Sequence, residues 1–206
     1  MKILSLHSAG SGCSVCLWDD GKTLALLHEP MMRGQDARLI PMVQDVMKKA
    51  GLSYDKLDRI AATKGPGSFT GIRIGLAAAL GLSLAADRPA LGVDRFALYH
   101  AAAKQDGRDL LVLLDARRAE MFAQYFPAHG TAQAPCMLDE EELEAFVKAH
   151  PSLILAGDVK KDFALDQDES VVCAMLAAQA ALDDPSFAPQ PFYVRPPDVT
   201  GGECLC

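Results

Sequence analysis

Along the first hundred residues the apolar positions switch between a period of two and a period near four. They alternate with polar ones in KILSLHS, GCSVCLWDD and KTLALLHE, the pattern of half-buried strands, and Asp20-Gly21 supplies a tight hairpin turn between the second and third. The spacing lengthens in ARLIPMVQDVMKKAGL, where Leu39, Val43, Val46 and Ala50 recur at helical intervals. Lys48 and Lys49 suit the last turn of that helix, Gly51 closes it, and Pro41 is expected in or near the first turn. A strand at DRIAATKG, a long apolar helix, a short strand at ALGVD and a helix at RFALYHAAAK complete a βββαβαβα order. Three antiparallel strands feeding alternating helices and strands predict an α/β domain with a mixed sheet, as in ribonuclease-H-like and actin-like folds.

After QDGRD the pattern begins afresh. LLVLLDARRAEMFAQYF predicts a second hairpin, DEEELEAFVKAH a charged helix, LILAG a short strand and SVVCAMLAAQAALDD a further apolar helix. The chain therefore divides into an N-terminal domain over 1–104, a smaller α/β domain over 105–187, and a proline-rich segment over 188–206 expected to pack back on the first domain.

KGPGSFTGIRIG, residues 64–75, leads from a strand into a helix, where backbone N–H groups and the helix dipole often hold phosphate. It has no G-K-[ST], and its glycines miss the G-x-G-x-x-G spacing. Gly71, Gly75 and Ala79 instead form a small-residue ridge that lets another backbone approach. Around the helix wheel Ile72, Leu76, Leu80 and Ser83 fall on one side and Ile74, Ala77, Gly81 and Ala85 on the other, with no broad polar stripe. Such a helix is expected to be covered on both sides, the outer one by a partner. Arg73, a cation in the first turn, opposes the helix dipole unless an anionic group meets it.

Composition narrows the function classes. The 206 residues are 50% hydrophobic and 23% charged, as in a folded globular protein, and the formal net charge of -7 offers no general attraction to nucleic acid. MKILSLHSAG lacks a signal-peptide core and the apolar helix falls short of a membrane span, so a cytoplasmic location without membrane contact is expected. Cys13 and Cys16 form a C-x-x-C on a strand, where side chains three apart point to opposite faces, which suits packing rather than zinc or redox chemistry. The terminal cysteines, Cys204 and Cys206, carry no metal-site signature, and the five histidines show no H-x-x-x-H or H-E-x-x-H spacing.

GPGSFTGIRIGL, the preceding β-β-β-α-β unit with RLIPMVQDVMKKAGL, and then LGVDRFAL, LLDARRAEMFAQY and PFYVRP together resemble the TsaB (YeaZ) family. The resemblance weakens between Ala128 and Pro189. It implies an actin-like ATPase fold of two small domains, each with a mixed sheet, and a role in forming threonylcarbamoyladenosine beside the anticodon of tRNAs that read codons starting with adenosine. It implies a non-catalytic subunit that pairs with the transferase TsaD, is joined by the nucleotide-hydrolysing TsaE, draws on TsaC for the activated group, and pairs with itself when isolated. tRNA is met only through the complex. ATP and metal are expected on the partner subunits, with no cofactor, metal or catalytic residue in this chain.

The family's pairing surface is its first two helices, which makes Leu39, Val43, Val46 and Met47 of one, and Gly71, Ile72, Arg73, Gly75, Leu76, Ala79, Leu80 and Ser83 of the other, the candidate interface residues. Two positions depart from an actin-like phosphate site. His7 stands where such folds place an acidic residue at the end of the first strand, and imidazole cannot replace a hard oxygen ligand for magnesium. The second hairpin has Asp115-Ala116-Arg117 without a glycine to admit phosphate. Gln35 also stands where the family often has a histidine. The alternative reading is an enzyme, either an actin-like ATPase or kinase or a glycoprotease-type peptidase, which would need an acidic metal site or metal ligands.

Overall fold

The computed structural model describes residues 1–103, 107–159 and 165–195. Lys104 and the terminal cysteines Cys204 and Cys206 lie outside the described residues, as does the part of the proline-rich segment beyond Arg195.

Two mixed sheets form the frame. The first has the order β3-β2-β1-β4-β5, built from β1 (Lys2–His7), β2 (Gly12–Asp19), β3 (Lys22–Pro30), β4 (Arg59–Gly65) and β5 (Ala90–Asp94). β1, β2 and β3 pair antiparallel, and β4 joins β1 and β5 in parallel. The expected hairpin is present, with Asp20 and Gly21 both at positive φ (41° and 89°), the geometry that matches strand twist. The second sheet has the order β8-β7-β6-β9, from β6 (Leu110–Asp115), β7 (Met121–Phe126), β8 (Cys136–Leu138) and β9 (Ile154–Gly157). β8 has no counterpart in the sequence reading, because three residues are too few to show a period. This is the α/β actin-like, ribonuclease-H-like arrangement, with antiparallel hairpins extended by parallel strands in each sheet.

Strand alternation sorts the core into layers. Leu4 and Leu6 of β1, with Cys13, Val15 and Leu17 of β2, face α1 (Gln35–Ala50) and α2 (Phe69–Ala86). Ile3, Cys16 and Trp18 face the opposite way, into a core shared with α3 (Arg95–Ala102), α5 (Glu169–Gln179) and the inner face of β6. The outer face of β6 and β7 packs Leu111, Leu113, Met121 and Ala123 on Leu143 of α4 (Glu140–Ala149). Cys13 and Cys16 thus lie in different cores, as the strand period requires, and burial pushes their thiols up to about 11 and about 12. α5 packs on β1, β2 and β4 of the first sheet although its sequence follows the second.

Three helix readings change in detail. α1 begins at Gln35, behind a left-handed Gly34 (φ 92°), so Pro41 falls in the second turn rather than the first. The ring denies a helical donor to the carbonyl of Ala37, an exposed residue on which water can serve. α5 stops at Gln179, short of the apolar run, and Ala180 leaves it in an extended conformation. α2 has the length and mean hydropathy (1.6) of a membrane-crossing helix, contrary to the sequence expectation, and only 28% of it is buried. Here its inner face lies on β4 and α1.

Candidate functional site

The glycine-rich turn between β4 and α2 is filled by the chain itself. A Cβ at Gly67 would stand 2.3 Å from the carbonyl oxygen of Ala9, and one at Gly71 only 2.0 Å from that of Ser8. Both positions therefore admit the backbone of the β1–β2 turn. The Ser68 N–H donates to Ala9 O (2.8 Å) and the Ser8 hydroxyl to Gly71 O (2.8 Å), while the Ser68 hydroxyl caps α2 by accepting from the Gly71 N–H (3.2 Å).

Beside this turn, at the end of β1, a buried ionic cluster joins the two sheets. Arg95, the first residue of α3, is 1% exposed and spends its guanidinium fork on Glu169 at the start of α5, with Nε to Oε2 at 2.7 Å and Nη2 to Oε1 at 2.5 Å. Nη2 also reaches Asp158 after β9 (2.9 Å), and Nη1 donates to Pro66 O (3.1 Å). Tyr99 adds a hydroxyl donor to Glu169 Oε1 (3.1 Å). Burial pushes the Glu169 carboxyl up, but the Arg95 charge and these hydrogen bonds outweigh it and hold it at about 2. Burial also opposes charge on Arg95, and the two carboxylates overcome it.

His7 completes the cluster. Its Nε2 accepts from the Gly10 N–H (3.3 Å), which assigns the ring proton to Nδ1, facing Thr63 Oγ1 (3.0 Å) and Glu169 (3.4 Å). Burial is the largest influence on this ring and lowers its pKa, so it is held neutral. Around it, Asp168 caps α5 and accepts from Ser14 (2.7 Å) and His28 (2.8 Å) of β2 and β3. Asp115 donates its N–H to Asp158 (2.7 Å) and accepts at its side chain from the Arg117 N–H (2.6 Å). Arg117, in a left-handed conformation (φ 57°), then reaches across to Gly10 O (2.9 Å). The two sequence-predicted phosphate-turn positions, His7 and Asp115, are thus brought to one place and bonded into the protein's own network. Arg95, Glu169 and Asp158 were missed, though the charge pairs Asp94-Arg95 and Asp168-Glu169, each opening an apolar helix, were the available signal.

The candidate pairing helices divide by depth. Leu39, Val43, Val46 and Met47 of α1, and Gly71, Ile72, Gly75, Leu76 and Ala79 of α2, are buried in this chain's own core. The small-residue ridge receives the β1–β2 turn rather than a foreign backbone. Ser83 is half-buried and donates to Arg88 O (2.5 Å). Leu80 is 46% exposed and Leu84 87%, and with Ala77 and Gly81 they form the outward face. Arg73 meets no anion among the described residues. Its guanidinium lies 3.8 Å above the Phe69 ring and its Nε donates to the Tyr193 hydroxyl (3.2 Å), so aromatic faces offset the charge at the helix start.

A family model described as "TsaD: tRNA N6-adenosine threonylcarbamoyltransferase" matches residues 30–178. The chain is 39% identical over 128 residues to the tRNA threonylcarbamoyladenosine biosynthesis protein TsaB of Escherichia coli (strain K12), a match covering 61% of this chain and 55% of that one. It is 30% identical over 124 residues to the protein of the same name from Haemophilus influenzae, covering 59% and 52%. The chain belongs to this family, as a TsaB (YeaZ) member. The match spans about half the length of these curated TsaB relatives. A transferase of Erythrobacter litoralis, named tRNA N6-adenosine threonylcarbamoyltransferase, is 42% identical over 69 residues, 34% of this chain and 20% of the transferase. In fold, the chain matches YeaZ from Pseudomonas aeruginosa with a TM-score of 0.68 and 24% identity, over 93% of this chain and 99% of that one. This TsaB member thus presents an exposed apolar α2 face and, at the end of β1, turns bonded to one another through Arg117.

Proposed function

We propose that this TsaB-family chain is a non-catalytic assembly subunit that pairs with a TsaD-type transferase, joined by TsaE, in forming threonylcarbamoyladenosine on tRNA. The observation that carries the non-catalytic part is the Arg95–Glu169–Asp158 cluster. In an actin-like fold, metal and phosphate occupy the cleft between the turn after β1 and the turn after β6. Here Arg117 bridges those turns to Gly10 O, and a neutral His7 ends β1. The residues present do not fit a magnesium nucleotide, since the carboxylates at hand are committed to Arg95, Ser14, Ser170 and backbone N–H groups.

Pairing is supported by the outer face of α2. Leu84 and Leu80 project from a helix already docked on its inner side, and an apolar strip of this kind is stabilised when a second helix covers it. The names of the curated relatives support the place in tRNA modification. The test is co-purification of the chain with the TsaD of the same organism, followed by Leu84→Glu. Formation of a complex that the variant abolishes, with the fold intact, supports the reading; pairing unaffected by Leu84→Glu and Leu80→Glu together would refute the surface.

A further inference from the structure

Next to the start of α2 lies an open cavity of about 450 Å³ between the glycine turn, the β6–β7 turn and the C-terminal segment, lined among others by Ser68, Thr70, Arg117, Arg118, Tyr193 and Arg195. Its charge is unlike that of the chain as a whole. Among the described residues three arginines, Arg117, Arg118 and Arg195, line it, and Arg73 is joined to its lining residue Tyr193, in a protein of net charge -7. The acidic groups nearby are largely committed: Asp115 accepts from the Arg117 N–H, Asp158 is paired with Arg95, and Glu120 lies 3.6 Å from Arg195. Beside these cations the Phe69 ring is stacked on Tyr193 at 4.8 Å and carries the Arg73 guanidinium at 3.8 Å, so this edge of the groove is rigid.

The shape separates two kinds of phosphate ligand. A free nucleotide is normally held in a pocket that encloses most of its surface. Here Arg117, Arg118 and Arg195 are themselves exposed, and the wall is an open groove. Exposed cations lining an open groove suit the backbone of a nucleic-acid strand, whose phosphates are neutralised one by one. The β6–β7 turn is fixed for this: the Gly10 contact and the Asp115 bond hold Arg117 in place before any ligand arrives.

We infer that this groove contacts RNA phosphates directly, so that the chain contributes part of the RNA-binding surface of its assembly. The inference rests on the reading of the chain as a tRNA-modification subunit but not on the α2 interface. The contact is weak in the isolated chain and adds to whatever a partner supplies. Ultraviolet cross-linking of the full chain to an anticodon stem–loop RNA at low salt, read by mass spectrometry, should place the adducts on residues 66–70, 117–118 and 192–195. In salt titrations, Arg118→Gln and Arg195→Gln should each reduce the slope of log affinity against log salt by about one. Glu120→Gln, which removes an anion from the rim, should strengthen binding. Circular dichroism and co-purification with the TsaD-type partner should be unchanged in all three, which separates this inference from the pairing proposal. Adducts confined elsewhere, or affinities and slopes indifferent to the variants, would overturn it. So would AMP or inorganic phosphate displacing the RNA at low concentration, which would mark a small-anion site instead.

Discussion

Replacing Glu169 with glutamine leaves the Arg95 guanidinium buried with one of its two carboxylates gone, and no solvent to take over. We expect Glu169→Gln to cost about 3–5 kcal/mol in urea denaturation, the range for breaking a buried pair from one side. The same cluster sets an acid limit. Glu169 titrates at about 2 in the fold against an ordinary 4.5, so its contribution is complete above about pH 4.5 and is lost as pH falls towards 2. His7 acts earlier. Burial holds its pKa below the ordinary 6.5, so the unfolded chain binds more protons and stability declines as pH drops below about 6.5. Melting temperature measured from pH 7 to pH 3 should therefore fall in two limbs. His7→Asn should shrink the upper limb without removing it, because His100 is also lowered by burial.

At the scale of elements, α2 makes the sharpest contrasts. Leu76 is buried on β4 and α1 whereas Leu84 is exposed, so Leu76→Glu should unfold the protein and Leu84→Glu should leave circular dichroism and melting cooperativity unchanged. Gly71→Ala drives a methyl into the Ser8 carbonyl and should destabilise by about 1–3 kcal/mol or more, read from thermal melts. The period of the apolar residues made most of this element legible, including the strands, the hairpin turn and the absence of a polar face on α2. It could not say which side of α2 faces inward, because an all-apolar wheel looks the same from both sides until the β1–β2 turn selects the glycines. The ionic cluster was illegible for a related reason. Arg95, Asp158 and Glu169 lie far apart in the chain, and only the packing of α5 on the first sheet brings them together.

At the scale of the molecule, buried and surface arginines tie the two sheets together beside the open groove. Arg95 holds the glycine turn, β9 and α5 to one guanidinium, and Arg117 spans the two turns that would flank a ligand. The purified chain should accordingly show no ATP turnover above background with magnesium or manganese, in an assay of inorganic phosphate release. The chemistry would then belong to a partner, and the exposed Leu80–Leu84 face is where that partner would be met. Light scattering on the chain mixed with the TsaD of the same organism tests this most directly. A heterodimer mass that reverts to separate components with Leu84→Glu is the result the account predicts; two unassociated species with the unaltered chain, under conditions where both are folded, would contradict it.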